Sequence, residues 1–523
     1  MSSESATVAD VLRVQARDRS EHPLLICDSE RISYADADRL SGRLARGLVG
    51  LGAGKGSHVG LLYPNGVAFV VGMLAAARVG AVVVPFSTFA TARELREQLV
   101  DSDTEILLAA PSFRSHDYVQ RLAEVLPDSR LDTDGRIFDP AAPQLRHVIF
   151  DGSKAGHLAP TVDEVLLTAM ESDVDGSDPL AIVYTSGTTS APKGVLHTHA
   201  ALLDHQRNLN AIRGLTAADT LFCNSPFFWI GGFGFALLAT MLAGATLVCS
   251  NAEDPAQTLD LLEAQKPTMT NGFAAAVRHL ARHPSFSGRD LSSLRRGNLY
   301  PIMAPDVRPP DPELRHNMLG LTEAGSVVLI DADETDQPEH RRGSFGKPAP
   351  GLEIRIVDPD TGTPVEDGAL GELYLRGPCL MQRYYKRSRE ECFDADGWLH
   401  TGDLAATDND GFVYYIGRRG SMIKTAGANV SPAEVEQAIA KVTGGAAAHV
   451  FGIADPDRGQ VVAAVITLDS GVEFDEAGLR RRLEVELSAY KIPRRFAVLP
   501  TADVPLLASG KADVQQLKSL FDV

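Results

Sequence analysis

The chain has 523 residues, a hydrophobic fraction of 44% and a formal charge of −18 at pH 7. That length exceeds what one hydrophobic core usually supports, so at least two domains are expected. So acidic a chain, with no Lys/Arg run, argues against nucleic acid as a partner. Cys27, Cys223, Cys249, Cys379 and Cys392 show no C-x-x-C or Cys/His metal spacing, and the N-terminal stretch MSSESATVADVLRVQARD lacks the basic start and apolar core of a secretory signal. A cytoplasmic protein with reduced thiols is the expectation.

Short apolar runs alternate with helical patterns from the start. Residues 24–27 and 32–34 suit a strand pair, 37–51 a helix, 58–63 a strand, 67–79 a helix and 81–86 a strand. This alternation predicts α/β layers with an at least partly parallel sheet. The acidic connector DVDGSD, 173–178, leads to the apolar run Ala181-Ile182-Val183, read as a short buried strand. The segment YTSGTTSAPKGV, 184–195, then leaves that strand as a loop.

Residues 220–252 carry no charge, which is long enough to cross a bilayer. Pro226, Gly231, Gly232, Gly234 and Gly244 punctuate the stretch and neither end has a basic flank. A loop, a buried helix over 233–242, a Gly-Ala turn and a strand over 246–249 are expected instead of a membrane span.

A second unit begins near Arg418. Ser431-Pro432-Ala433-Glu434 has the form of a capping box opening a helix, with Val435, Ala438, Ile439 and Val442 on one face. Strands over 448–453 and 460–467, a helix over 476–489 and a strand over 496–499 complete a small α+β domain.

The loop after Val183 offers backbone N–H groups, Ser/Thr hydroxyls and the Lys193 ammonium to an anion, and a phosphate chain suits it. It is not a Walker A loop, because Lys193 follows proline and precedes glycine. Its order of residues resembles the phosphate loop of the adenylate-forming superfamily: acyl-CoA synthetases, aryl-CoA ligases, firefly luciferases and the adenylation domains of peptide synthetases. LGLTE at 319–323, HTGD at 400–403, GRRGSMIK at 417–424 and PLLASGK at 505–511 follow in that family's order, with supporting matches GSFGKPAPG at 343–351 and GELYLRGPCLMQRYY at 371–385.

The resemblance implies a large N-terminal multi-subdomain α/β adenylation domain over 1–417, a hinge at 418–421 and a small mobile α+β domain over 422–523. It implies that Thr185, Ser186, Gly187, Thr188, Thr189 and Lys193 hold the β- and γ-phosphates, and that Leu319 and Gly320 lie by the nucleotide. Thr322 would meet the α-phosphate and Glu323 would help hold Mg²⁺. Asp403 would accept hydrogen bonds from the ribose hydroxyls, with Arg418 at the ribose or phosphate. Lys511 would bridge the carboxylate and α-phosphate during adenylation, whereas Lys424 with Gly427 would belong to the thioester-forming face. Phe228, Trp229, Gly231, Phe233, Asn298 and Leu319 are the expected acid pocket.

The expected activity is therefore ATP-dependent activation of a hydrophobic or aromatic carboxylic acid as an acyl-adenylate, with Mg²⁺, followed by transfer to the thiol of coenzyme A. Four positions depart from the family pattern: Trp229 stands where a histidine is common, Leu319 where an aromatic is usual, Gly420 where Asp or Lys is usual, and Arg296-Gly297-Asn298-Leu299-Tyr300 replaces a loop of small residues. They leave open an acyl carrier protein as acceptor, an oxyacid such as nitrite as substrate, and a non-catalytic nucleotide-binding protein. The oligomeric state is also left open.

Overall fold

The computed structural model describes residues 6–131, 135–151, 158, 160–185, 193–421, 423–425, 428–455, 459–468, 474–487, 489, 491–507 and 511–521. The chain divides into two compact units, one from Met1–Thr185, Ala191–Glu353 and Arg376–Phe393, the other mainly from Ile354–Leu375 and Asp394–Val523.

Two sheets organise the first unit. One runs in the order Arg296–Gly297, Met269–Asn271, Thr220–Cys223, Thr246–Cys249, Pro23–Cys27, Glu30–Ser33. Its strands are parallel except for the last, which turns back on Pro23–Cys27 as the expected strand pair. The other runs Arg383–Tyr384, Gly194–Thr198, Pro179–Tyr184, Val82–Pro85, His58–Leu62, Ile106–Ala109, His147–Phe150. Its last five strands are parallel and its first two antiparallel. Val82–Pro85 and Ile106–Ala109 are buried at every position, as parallel strands covered on both faces must be.

Helix Val67–Arg78 is apolar on nearly every side and almost wholly buried; such a helix belongs between layers rather than on a surface. Helix Tyr34–Gly50 starts earlier than the periodicity suggested, because Ser33 Oγ accepts from Asp36 N and caps it there. The helix expected over 233–242 is a composite: α-helical Ile230–Gly232, a π-helical stretch Phe233–Leu238, then α-helical Ala239–Ala243. Glycine makes this path possible, since a Cβ on Gly232 would lie 2.0 Å from the Pro226 carbonyl oxygen. Strand Thr246–Cys249 follows as expected. Among the described residues no helix is long and apolar enough to cross a membrane.

In the second unit, strands Glu353–Val357, Gly371–Arg376, Leu399–Thr407 and Val413–Arg418 form one sheet in that order. A further sheet places Gly459–Leu468 between antiparallel Ala447–Asp455 and parallel Arg495–Pro500, with Ile423–Thr425 and Ala428–Val430 extending it. Helices Pro432–Thr443 and Glu476–Glu486 cover it through Val435, Ile439, Leu479 and Leu483. The capping box at 431–434 forms by half. Ser431 Oγ accepts from Glu434 N, but the Glu434 carboxylate reaches Lys491 Nζ at 2.5 Å instead of returning to the cap. An ammonium is the stronger partner for that carboxylate.

Candidate active site

The segment expected to bind phosphate joins the two strands of an antiparallel hairpin. Strands Pro179–Tyr184 and Gly194–Thr198 pair with Tyr184 opposite Gly194. Beyond the last pair, Thr185 N donates to Lys193 O at 3.0 Å and Lys193 N to Thr185 Oγ1 at 3.4 Å, which clasps the two ends. Ser186, Gly187, Thr188 and Thr189 lie outside the described residues. The stem is anchored from the side: Tyr184 Oη donates to Asp101 Oδ2 at 2.7 Å, and Tyr385 Oη to Asp103 Oδ2 at 3.0 Å.

Lys193 and Glu323 are brought together through a residue the motifs did not single out. The Lys193 ammonium lies 4.9 Å from the centroid of the Tyr384 ring, a cation–π distance. The Tyr384 hydroxyl donates to Glu323 Oε1 at 2.8 Å. Tyr384 reaches this place because Arg383–Tyr384 adds to the sheet edge beside Gly194–Thr198. Its only sequence signal was its position in the supporting match 371–385.

The Thr322–Glu323 turn is held from below by buried polar side chains. Leu319–Leu321 and Ser326–Ile330 form an antiparallel pair, and Gly325 closes the turn between them with φ +72°. His197 Nε2 lies 2.7 Å from Thr322 O, His205 Nε2 2.8 Å from Val327 O, and Gln206 Nε2 3.1 Å from Gly325 O. Burial pushes both imidazoles down to about 4, so each is neutral and donates through Nε2. Among the described residues their other ring nitrogens have no partner. Met381 N donates to Glu323 O at 2.8 Å. Leu319 is half-buried and Gly320 exposed on the same short strand.

No group of three His, Cys, Asp or Glu side chains gathers among the described residues, so a metal held here by Glu323 would have a single protein carboxylate. That suits Mg²⁺, which takes one or two carboxylates and completes its octahedron with phosphate and water oxygens.

The expected acid-pocket residues separate into three kinds. Phe228 and the half-buried Trp229 meet edge to face, with centroids 5.6 Å apart at 73°, and Trp229 meets Phe273 at 5.5 Å and 82°. Phe273 was not among the residues picked from sequence. Phe233 instead is fully enclosed in the core, edge-on to Phe69, and Gly231 lies beside Ser225. Asn298 is engaged with backbone: Oδ1 accepts from Gly272 N at 3.1 Å and Nδ2 donates to Gly272 O at 2.7 Å.

In the second unit Asp403 and Arg418 are register partners on adjacent strands, and Arg418 Nε donates to Asp403 Oδ1 at 2.9 Å. The Asp403 side chain is buried, whereas that of Arg418 is more than half exposed. The turn before Asp403 is fixed by Thr401, whose Oγ1 accepts from Asp403 N and donates to Leu373 O, and by Glu372, which accepts from Gly402 N. Lys424 sits in strand Ile423–Thr425 opposite Asn429, and Gly427 lies outside the described residues. Lys511 is exposed at the foot of a short loop closed by the Leu507 N to Lys511 O hydrogen bond and the Leu506–Ala512 bridge. Arg419–Ser421 forms one tight turn at the expected hinge.

A family model described as AMP-binding enzyme matches residues 12–385, and one described as AMP-binding enzyme C-terminal domain matches 434–511. The feruloyl-CoA synthase of an Amycolatopsis species is 31% identical over 491 residues, covering 92% of this chain and 92% of that protein. The 4-coumarate–CoA ligase 1 of Oryza sativa subsp. japonica is 30% identical over 509 residues, covering 93% of this chain and 87% of that protein. Among solved structures, the o-succinylbenzoate coenzyme A synthetase of Bacillus subtilis, in complex with ATP and magnesium ion, is 25% identical with a TM-score of 0.78, covering 97% of this chain and 99% of that one. The chain belongs to the AMP-binding enzyme family and is an AMP-forming acid–thiol ligase of the adenylate-forming kind.

Proposed function

We propose that this ligase activates a hydrophobic or aromatic monocarboxylic acid with ATP and transfers the acyl group to coenzyme A. A carboxylate oxygen attacks the α-phosphorus and pyrophosphate leaves; the thiol sulfur then attacks the acyl carbon and AMP leaves. The observation that carries the reading is the arrangement of Lys193, Tyr384 and Glu323, which sets a cation for phosphate oxygens beside a carboxylate for a metal. The names of the relatives, which act on feruloyl and 4-coumaroyl groups, support the acid class.

The roles follow from charge. Bringing a carboxylate to a polyphosphate needs neutralisation before positioning, and Thr185, Lys193 and the loop between them supply it at the β- and γ-phosphates. Bound at Glu323 and phosphate oxygens, Mg²⁺ would supply further charge neutralisation there. Thr322 meets the α-phosphate, its backbone fixed by His197. Asp403 takes the ribose hydroxyls, held in place by Arg418. Lys511 serves the first half-reaction, Lys424 and Gly427 the second. Residues 422–523 form the mobile domain and 418–421 its hinge, so that one cavity serves two chemistries in turn.

The acceptor reading competes with a carrier-protein phosphopantetheine, and the compartment proposed is the cytoplasm. Pyrophosphate release measured over a panel of carboxylic acids and nitrite, with and without coenzyme A, tests the reading. Release with an apolar acid and acyl-CoA formation is the expected result. Release with nitrite alone would overturn the carboxylic acid, and adenylation without any acyl-CoA would overturn the acceptor.

A further inference from the structure

In an open parallel sheet ligands bind at the carboxyl ends of the strands, and in this chain those ends carry an unusual construction. Asn224 follows strand Thr220–Cys223, Gly272 and Phe273 follow Met269–Asn271, and Asn298 follows Arg296–Gly297. These are neighbouring parallel strands, so all three ends lie on one edge. Asn224 Oδ1 accepts from Phe273 N at 3.0 Å and its Nδ2 donates to Phe273 O at 3.1 Å. Asn298 does the same for Gly272. Two amide side chains thus satisfy both backbone groups of two successive residues. Gly272 has φ +141°, and a Cβ there would stand 1.7 Å from Asn224 Oδ1, so the clamp requires glycine.

The residue so clamped is an exposed aromatic. Phe273 is 52% exposed, and its ring continues an edge-to-face series Phe89, Phe228, Trp229, Phe273. Holding a large apolar ring in water costs free energy, and fixing its backbone with two amide hydrogen bonds, and that of the preceding glycine with two more, makes sense where the ring meets a ligand. The rings of the series carry no ionisable group, so they favour an uncharged guest over a charged one. Successive T-shaped rings offer a further ring both a face and an edge, a geometry from which an aromatic guest gains and a flexible chain does not.

We infer that Phe273 is a specificity-determining residue, that Asn224 and Asn298 are its positioning residues, and that the acid this ligase activates carries an uncharged aromatic ring seated against Trp229 and Phe273. This rests on the reading that the enzyme adenylates a carboxylic acid. Pyrophosphate release is measured for wild type, Phe273→Leu and Asn298→Ala with benzoic-type, cinnamic-type and straight-chain acids of similar size, beside melting curves. Wild type should favour aromatic acids. Phe273→Leu should lower kcat/KM for them about tenfold and leave straight-chain acids within about twofold, with an unchanged melting temperature. Asn298→Ala should raise KM for the aromatic acid while kcat and KM for ATP hold. A wild-type preference for straight-chain acids, or an unaltered ranking in Phe273→Leu, overturns the inference and leaves the ligase reading standing. Absence of release with every carboxylic acid would remove both.

Discussion

His197 Nε2 donates to the backbone oxygen of Thr322 from a fully buried position in strand Gly194–Thr198, 125 residues earlier in the chain. The strand Gly194–Thr198, which follows Lys193, therefore also holds the turn that presents Thr322 and Glu323.

The burial that surrounds this bond has a pH consequence. His197, His199 and His205 are each pushed down by burial from 6.5 to about 4. The unfolded chain binds more protons than the folded one between these values, so the stability these histidines contribute is fully present above about pH 6.5 and is lost as pH falls toward 4. Urea midpoints measured from pH 7.5 to pH 4 should decline, and the decline should be shallower in His205→Gln. An identical slope in that variant would show that His205 is not buried neutral.

Tyr384→Phe tests the link between lysine and carboxylate. The ring over Lys193 stays while the hydroxyl to Glu323 goes, and a hydrogen bond to a charged group contributes about 1.5–3 kcal/mol. Pyrophosphate exchange should slow by about tenfold or more and need more Mg²⁺ for half-saturation. An unchanged Mg²⁺ titration would remove Tyr384 from the site.

The two lysines of the second unit should separate by half-reaction. Lys511→Ala should slow adenylation by several orders of magnitude and leave thiolysis of supplied acyl-adenylate largely intact, because its charge acts in one transition state. Lys424→Ala should show the opposite bias. Single-turnover assays of each half-reaction decide, and equal losses in both would sink the assignment.

Much of this was legible in sequence for physical reasons. The strands at 58–62, 82–85 and 246–249 are apolar runs, broken only by His58 and Thr246 at two of their starts, because both faces are covered. The motif residues Asp403 and Arg418 announced themselves, yet not that they bond to each other, since that depends on the register of two strands. Tyr384, His197, His205, Gln206 and Asn224 were not legible. Each acts on a partner tens of residues away, and a polar side chain on a buried face carries no periodic signature. The two glycines at 231 and 232 were visible, but the π-helical turn after them depends on the Pro226 carbonyl that Gly232 must pass. Phe233 and Trp229 looked alike in sequence; only burial distinguishes the enclosed core ring from the half-buried one.

Asp403→Asn keeps the shape and an acceptor for Arg418 but trades a carboxylate for an amide. Calorimetric ATP affinity should weaken by about 1.5–3 kcal/mol if the ribose hydroxyls point at it. Unaltered affinity would take Asp403 out of the nucleotide site.

A Cβ on Gly234 would lie 2.8 Å from the Gly325 carbonyl oxygen, the atom that Gln206 also engages. The helix that begins beside Trp229 and the turn that ends beside Glu323 thus meet backbone to backbone, with the Gln206 amide packed beside the contact. They work as the two jaws of a fixed gauge: the spacing between the surroundings of Trp229 and those of Glu323 is set within the first unit. A methyl group on the hub at Gly234 would therefore press on the turn that carries Thr322 and Glu323 as well as on its own helix.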